Sequence, residues 1–189
     1  MSSKIKNILS SSWGLFTSTA ETWEKIAVQN STVNEVRKNF VYPWIVFCVF
    51  IVGISNGIYA QDKHIETGIL NAIITGISLF GGYFLTNRIC FWYLRKQQNG
   101  ASTYKASETL VSYSFTCLFA LKAITTILPG LFFLQILNVF IAYLVWEGCG
   151  AVLKLNEDER GNIVLVFSLV IILVPLLISS VIHFILPNA

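Results

Sequence analysis

Five long apolar stretches, separated by short polar breaks, set the pattern of this chain. A hydrocarbon core about 30 Å thick is crossed by about 20 helical residues, so each stretch predicts a membrane-spanning helix. The predicted spans cover residues 40–59, 66–94, 106–128, 131–152 and 163–186. The predicted fold class is therefore all-α, a polytopic membrane bundle of five transmembrane helices.

The first 39 residues form a polar N-terminal segment before the predicted membrane domain, which covers residues 40–187. Residues 18–21 read S-T-A-E, the form of a capping box at the start of a helix. Trp23 and Ile26 follow on one helical face. We interpret the segment as a cytoplasmic amphipathic helix whose Trp23 and Ile26 lie in the bilayer surface. The alternative is a helix that packs against the ends of the bundle.

Lysine and arginine are distributed unevenly between the two ends of the spans. Eleven of the thirteen lie on one side, Lys63 lies on the other, and Lys122 lies inside span three. Basic residues in short loops stay on the cytoplasmic side of a membrane. The pattern predicts a multi-pass protein of the cytoplasmic (inner) membrane, with its N-terminus in the cytoplasm and its C-terminus outside.

Composition narrows the classes of function. The chain is 54% hydrophobic and 12% charged, about half the charge of a typical soluble domain. Its net charge of +3 is too small and too scattered to indicate nucleic-acid binding. The four cysteines lie in apolar runs without metal-ligand spacing, and the sequence carries no recognisable catalytic or nucleotide-binding motif. We expect no enzyme activity, no metal and no cofactor.

Lys122 is the clearest ionisable residue within a predicted span. A charge at the centre of a span costs at least about 2.5 kcal/mol, so it needs a compensating contact. At about 1.5 Å per residue from Pro129, Lys122 lies about 10 Å inside span three. Either its stem carries the ammonium up to the headgroups, or it makes a polar contact inside the bundle. Asn138 of span four lies at a comparable depth, and Asn71 of span two is a further candidate.

Glu147 and Arg88 lie at about the same level, near the cytoplasmic ends of spans four and two. A lone charge at this depth is costly whereas a pair is tolerated, so we predict an interhelical ion pair with a structural role. The alternative is that Glu147 faces interfacial water. Gly53 and Gly57 form a GxxxG pattern in span one, where small residues let helices approach closely.

A family resemblance is spread over nearly the whole chain, from residue 21 to residue 187. It rests on Thr22-Trp23-Glu24-Lys25-Ile26, Phe40-Val41-Tyr42-Pro43, Tyr113-Ser114, Pro129-Gly130, and Tyr143 with Gly148 before a charged loop. In this order the segments resemble the Yip1 family, and specifically its bacterial branch. One departure is Phe115-Thr116-Cys117, which stands where bacterial members often have a small residue, Thr and Pro.

The resemblance implies a membrane protein rather than an enzyme. In eukaryotes the family is associated with Rab GTPases and with vesicle traffic between endoplasmic reticulum and Golgi, and a eukaryotic member would be expected in those membranes. Bacteria have no Rab system of that kind. The resemblance to the bacterial branch therefore says more about the architecture of this chain than about its activity.

Two functional hypotheses follow. The leading one is a scaffold or assembly factor that contacts the lipid bilayer and binds other membrane proteins, or a second copy of itself, through helix–helix contacts. The runner-up is a small transporter or channel, which requires Lys122, Asn138, Asn71 and Glu147 to converge on one water-filled cavity. A third possibility, lipid remodelling by the N-terminal helix, requires Trp23 to face lipid.

Overall fold

The computed structural model describes residues 2–59, 64–97 and 104–185, with side chains over 8–55, 65–97 and 104–185. Within these ranges the chain is helical almost throughout and contains no strand. The α-helices are α1 Ser2–Thr17, α2 Thr19–Gln29, α3 Val33–Val36, α4 Tyr42–Tyr59, α5 His64–Gln97, α6 Tyr104–Ile127, α7 Phe140–Leu153 and α8 Glu157–Ile185. A π-helical turn, Arg37–Val41, joins α3 to α4, and a 3₁₀ segment, Pro129–Val139, leads into α7.

Among the described residues, five helical segments are long and apolar enough to cross a membrane, which confirms the predicted fold class. They cover Val33–Ser55, Ile65–Gln97, Tyr104–Ile127, Pro129–Leu153 and Glu157–Ile185. The third segment is 61% buried, against 28% to 39% for the other four. Helix α6 is therefore the central helix of the bundle, and the other spans pack around it.

The two ends of the bundle differ in charge. Arg37 before α4, Arg95 near the end of α5, Lys105 near the start of α6 and Arg160 near the start of α8 share one end, which we call the basic end. The opposite end, which we call the far end, contains the end of α6, the start of the 3₁₀ segment and the end of α8.

Small residues hold the spans together where the helices cross. A Cβ atom built on Gly53 of α4 would lie 3.3 Å from Ala72 Cβ of α5, and one on Gly82 would lie 2.9 Å from Pro175 of α8. Such close approach lets helices form dispersion contacts. These contacts matter because, within lipid, the hydrophobic effect does not drive helices to associate. Gly53, the described member of the GxxxG pattern, is thus used inside the bundle; Gly57 lies outside the described side chains.

The first half of span four is a 3₁₀ helix rather than an α-helix. It begins at Pro129, which occupies the first helical turn, is kinked at Leu131, whose backbone angles are not helical, and ends at Val139. A 3₁₀ helix rises about 2.0 Å per residue, so this half is narrower and longer than an α-helix of the same length. The narrower half packs on α6 and leaves space between itself and α8, which the candidate site occupies.

The N-terminal segment folds as a helical hairpin of α1 and α2. The chain turns at Ser18, and Gly14 of α1 lies so close to Thr22 of α2 that a Cβ atom would meet its Oγ1 at 2.5 Å. The predicted capping box at residues 18–21 is wrong, because the Ser18 side chain makes no cap hydrogen bond. The box occurs instead at α3, where Thr32 and Glu35 cap each other.

The interpretation of Trp23 and Ile26 as a membrane-surface face is also wrong. Trp23 is 0% exposed and Ile26 is 8% exposed, because α2 packs against α7. The indole of Trp23 covers Gly148, where a Cβ atom would lie 2.9 Å from the ring, and it meets Tyr113 edge-on at 5.9 Å. The alternative of a helix packed on the bundle is the correct one, and the lipid-remodelling hypothesis loses its basis.

Candidate functional site

A lateral opening in the far half of the bundle is lined by several polar side chains. This Lys122 crevice encloses about 530 Å³. It lies between the 3₁₀ segment and α8, with α6 as its floor and α5 at its back. Its lining residues are Thr75, Ser78, Leu79, Leu118, Lys122, Gln135, Ile136, Asn138, Val139, Ile172, Pro175, Leu176 and Ser179.

Lys122 and Asn138, which the sequence places at a comparable depth, line this same crevice. Lys122 is half-buried and forms no ion pair within the described part of the chain. Asn138 Nδ2 donates to the Gln135 carbonyl at 2.9 Å and to Gln135 Oε1 at 2.8 Å. Gln135 Nε2 in turn donates to Thr125 Oγ1 at 3.0 Å. These contacts form a short polar ladder along the rim of the crevice.

Two buried polar atoms of the crevice have no hydrogen-bond partner among the described residues. They are Ser78 Oγ and Asn138 Oδ1. A buried polar group without a partner is costly, and native structures usually satisfy such groups with water or a ligand. The crevice therefore offers a cation, a hydroxyl and an amide oxygen between largely apolar walls.

The other predicted polar residues do not join the crevice. Asn71 is half-buried on α5 and is not among its lining residues. The predicted ion pair between Arg88 and Glu147 is wrong, because the pair formed within the described residues is Arg37–Glu108. Arg88 is exposed on α5, and Glu147 is half-buried on α7. Both helices pack on α6 and α8, which lie between them.

A second polar cluster, near the basic end, was not predicted from the sequence. Arg37 Nε contacts Glu108 Oε1 at 2.6 Å, and its Nη2 contacts Oε2 at 2.9 Å, so the pair is bidentate. Tyr104 accepts from Arg37 Nη2 at 2.6 Å, and Tyr83 donates to Glu108. Ser112 lies 2.8 Å from the Tyr83 hydroxyl. We call these five residues the Glu108 network.

The Glu108 network is closed rather than poised for chemistry. The Glu108 side chain is 0% exposed and that of Arg37 is 17% exposed. The guanidinium also lies 5.0 Å from the ring centre of Phe84, a cation–π arrangement. A buried pair with its oxygens and protons satisfied in this way is tolerated, and it fixes the helices that carry it.

The π-helical turn explains how Arg37 reaches Glu108. Pro43 has no N–H to donate to the carbonyl four residues earlier, and its ring crowds that carbonyl. The Tyr42 N–H instead donates to the Arg37 carbonyl, five residues back, which widens the helix by one residue. Arg37 is the first residue of this turn, and its side chain reaches Glu108 of α6. Nothing in the spacing of two residues 71 positions apart indicates the contact.

A third feature is an apolar groove beneath the N-terminal hairpin, which we call the hairpin groove. Its volume is 510 Å³. Its lining residues are Leu9, Ser12, Trp13, Phe16, Trp44, Cys117, Ala120, Leu121, Ile124, Leu137 and Phe140. Trp44 Nε1 donates to Ser12 Oγ at 3.1 Å, and the rings of Phe16 and Phe140 stack at 5.9 Å. These contacts fasten α1 to the spans at both ends of the groove.

The cysteines and acidic residues of the described chain form no metal centre. Cys48, Cys90, Cys117 and Cys149 are free and buried. Within the described ranges, no three His, Cys, Asp or Glu side chains cluster closely enough to hold a metal ion.

Comparison with known families gives one match that covers most of the chain. The model of the Yip1 domain matches residues 13–179, a range that includes the hairpin turn, the first four candidate spans, most of the fifth and both polar clusters. Comparisons with curated proteins and with solved structures find no significant match.

Proposed function

The chain belongs to the Yip1 family, and from this premise we propose that it is a non-enzymatic scaffold, an assembly or trafficking factor that holds other membrane proteins through helix–helix contacts. We also propose that the basic end lies in the cytoplasm, so that the N-terminus is cytoplasmic and the C-terminus is outside. The excess of lysine and arginine at that end supports this orientation. For a bacterial member the membrane is the inner one.

The hairpin groove is the observation that carries the proposal. It is a concave apolar surface between α1 and spans three and four, and its rim includes large exposed side chains. Trp13 is 71% exposed and Leu9 is 58% exposed. A ridge of side chains on a neighbouring helix fits a groove of this kind, as in other helix-in-groove complexes.

The rest of the bundle supports a static platform. The small residues that often mediate self-association are already used, since Gly53 contacts α5 and Gly82 contacts α8. The Glu108 network ties α4, α5 and α6 together near the basic end. A rigid frame with one open apolar groove is suited to holding a partner rather than to cycling between states.

The test is a variant that fills the groove without touching the frame. Ala120→Trp places an indole in the hairpin groove, whereas Leu165→Trp places one on the outer face of α8, where Leu165 is 59% exposed. Membranes are crosslinked, each full-length variant is purified, and co-purified membrane proteins are quantified. We expect Ala120→Trp to reduce a reproducible partner about tenfold, as for a loss of about 1.4 kcal/mol.

Leu165→Trp is expected to retain that partner at the wild-type level. A partner that remains bound to both variants, or a wild type that captures nothing above background, would contradict the groove as the docking surface. Crosslinks to lipid alone would likewise assign the groove to lipid rather than to protein.

A transporter or channel is the second candidate, because Lys122 and Asn138 line one crevice. The crevice shares no lining residue with the Glu108 network, whose carboxylate is fully buried and paired, which argues against a continuous path through the bundle. Proteoliposomes distinguish the two functions. Solute or ion flux that Lys122→Gln abolishes would replace the scaffold proposal, and no flux above that of protein-free vesicles would reject the transporter.

A further inference from the structure

We propose that the Lys122 crevice is a lipid site. It holds one phospholipid with an anionic phosphate headgroup. The phosphate contacts the Lys122 ammonium, and one acyl chain lies between the 3₁₀ segment and α8. This site is separate from the hairpin groove, so the inference stands independently of the proposed scaffold.

The charge of Lys122 is the first step in the argument. Its ammonium has no carboxylate within ion-pair distance among the described residues, because the buried carboxylate of Glu108 is taken by Arg37. A half-buried cation in a spanning helix needs an anion or a headgroup at its own depth. The anion must therefore come from outside the described chain.

The depth of Lys122 is the second step. It lies five residues before Ile127, the last residue of α6, which is about 8 Å from that helix end. Ser179 lies six residues before Ile185, the last residue of α8, at about 9 Å. The long stem of a lysine carries its charge toward the headgroups. The ammonium of Lys122 and the hydroxyl of Ser179 thus stand just beneath the level of lipid phosphates.

The shape of the crevice is the third step. It opens sideways, between the 3₁₀ segment and α8, rather than along the axis of the bundle. Its walls below Lys122 are formed by side chains with no polar atoms, including Leu118, Ile136, Val139, Ile172 and Leu176. A volume of 530 Å³ with such walls suits a hydrocarbon chain.

The unpartnered polar atoms are the fourth step. Ser78 Oγ, which has no partner, is able to donate to an ester carbonyl of a lipid that lies deeper than the phosphate. Asn138 Oδ1 lies deeper in the crevice than Lys122 and is an acceptor for a water carried in with the lipid. A small hydrophilic solute would leave the apolar walls in contact with water. An amphiphile, which covers these walls with its hydrocarbon chain, is therefore the favoured occupant.

Native mass spectrometry of the purified full-length protein tests the proposal. Retention is measured for phosphatidylglycerol and for phosphatidylcholine with the same acyl chains, and oleate serves as a carboxylate amphiphile. Both lipids carry a phosphate, but the quaternary ammonium of phosphatidylcholine offsets the phosphate charge and repels Lys122. We therefore expect the wild type to retain phosphatidylglycerol about tenfold better than phosphatidylcholine. Lys122→Gln should remove this preference, whereas Lys122→Arg should keep it. Lys154→Gln, which alters an exposed lysine at the basic end, is the matched control and should also keep it.

A second variant addresses the acyl chain. Ile136→Trp fills the crevice without changing charge, and it should reduce retention of both phospholipids. Equal retention of the two lipids by the wild type would overturn the proposal, as would an unchanged preference in Lys122→Gln. A wild type that binds oleate better than phosphatidylglycerol would also overturn it. None of these outcomes bears on the hairpin groove, because Lys122 does not line it.

Discussion

Glu108 and Lys122 illustrate two ways in which a charged side chain is accommodated among spanning helices. Glu108 is fully buried and is neutralised by Arg37, with Tyr83 supplying a further hydrogen bond. Lys122 is half-buried and has no such partner in the described chain. The first arrangement is complete within the protein and serves its stability, whereas the second is complete only with a group from the membrane.

Glu108→Gln provides the prediction at the residue scale. The variant leaves the Arg37 guanidinium without its counter-charge, and breaking a buried pair on one side costs about 3 kcal/mol. We expect the free energy of unfolding in detergent to fall by that amount. Glu157→Gln, which changes an exposed acid at the start of α8, should leave it unchanged.

The double variant Arg37→Leu with Glu108→Leu tests whether the loss of stability comes from an unpaired buried charge. Replacing both partners of a buried pair by apolar residues is often close to neutral. Unfolding stability should therefore recover, in part or fully, relative to Glu108→Gln. If Glu108→Gln unfolds at the same denaturant concentration as Glu157→Gln, the network contributes nothing to stability.

The N-terminal hairpin is the element whose role differs most from its sequence pattern. Trp23 and Ile26 form an apolar face. Such a face is compatible with lipid and with a protein surface, since both environments exclude water. Gly148 decides in favour of protein, because the absence of a side chain at this position leaves space for the indole of Trp23. That space lies 125 positions away along the chain, so the pattern of α2 alone does not identify it.

Gly148→Leu tests the docking of the hairpin. Any Cβ atom at this position would meet the Trp23 ring at 2.9 Å, and overpacking of this kind costs about 1–3 kcal/mol. We expect α2 to open more often, so that trypsin cleaves after Lys25 about tenfold faster than in the wild type. Lys25 is exposed, but a protease needs the helix around it to unfold locally.

Gly161→Leu is the matched control, since no atom lies within 4 Å of a Cβ atom built there. Its cleavage rate after Lys25 should equal that of the wild type. Equal rates in Gly148→Leu and Gly161→Leu would mean that the indole does not depend on the space at Gly148, and the packing of α2 on α7 would need another explanation.

Among the elements, the spans were predictable and their facing directions were not. Five apolar segments of spanning length predict five helices, because a backbone that crosses hydrocarbon must satisfy its hydrogen bonds internally. Approximate depth also follows from counting residues, and Lys122 and Asn138, which were predicted at a comparable depth, line one crevice. Rotation about the helix axis does not follow from depth. For that reason Arg88 and Glu147, which were predicted at similar levels, form no ion pair in the described residues, whereas Arg37 and Glu108 form one that the sequence did not indicate.

The whole molecule combines a closed centre with two lateral openings. Helix α6 is buried on most sides, and the Glu108 network and the glycine contacts close the bundle around it. The hairpin groove and the Lys122 crevice open sideways from this frame, the first beside α1 and the second beside α8. Openings toward the membrane rather than along the bundle axis favour contacts with proteins and lipids over conduction.

The roles proposed for both openings require that the five spans lie in a bilayer with the basic end in the cytoplasm. Compartment-specific reporters fused to the two chain ends of the full-length protein test this most directly. The account predicts that the N-terminal reporter responds in the cytoplasm and the C-terminal reporter responds on the opposite side. Signals from both ends in the same compartment would contradict five crossings, and with them the depth of Lys122 and the orientation of the hairpin.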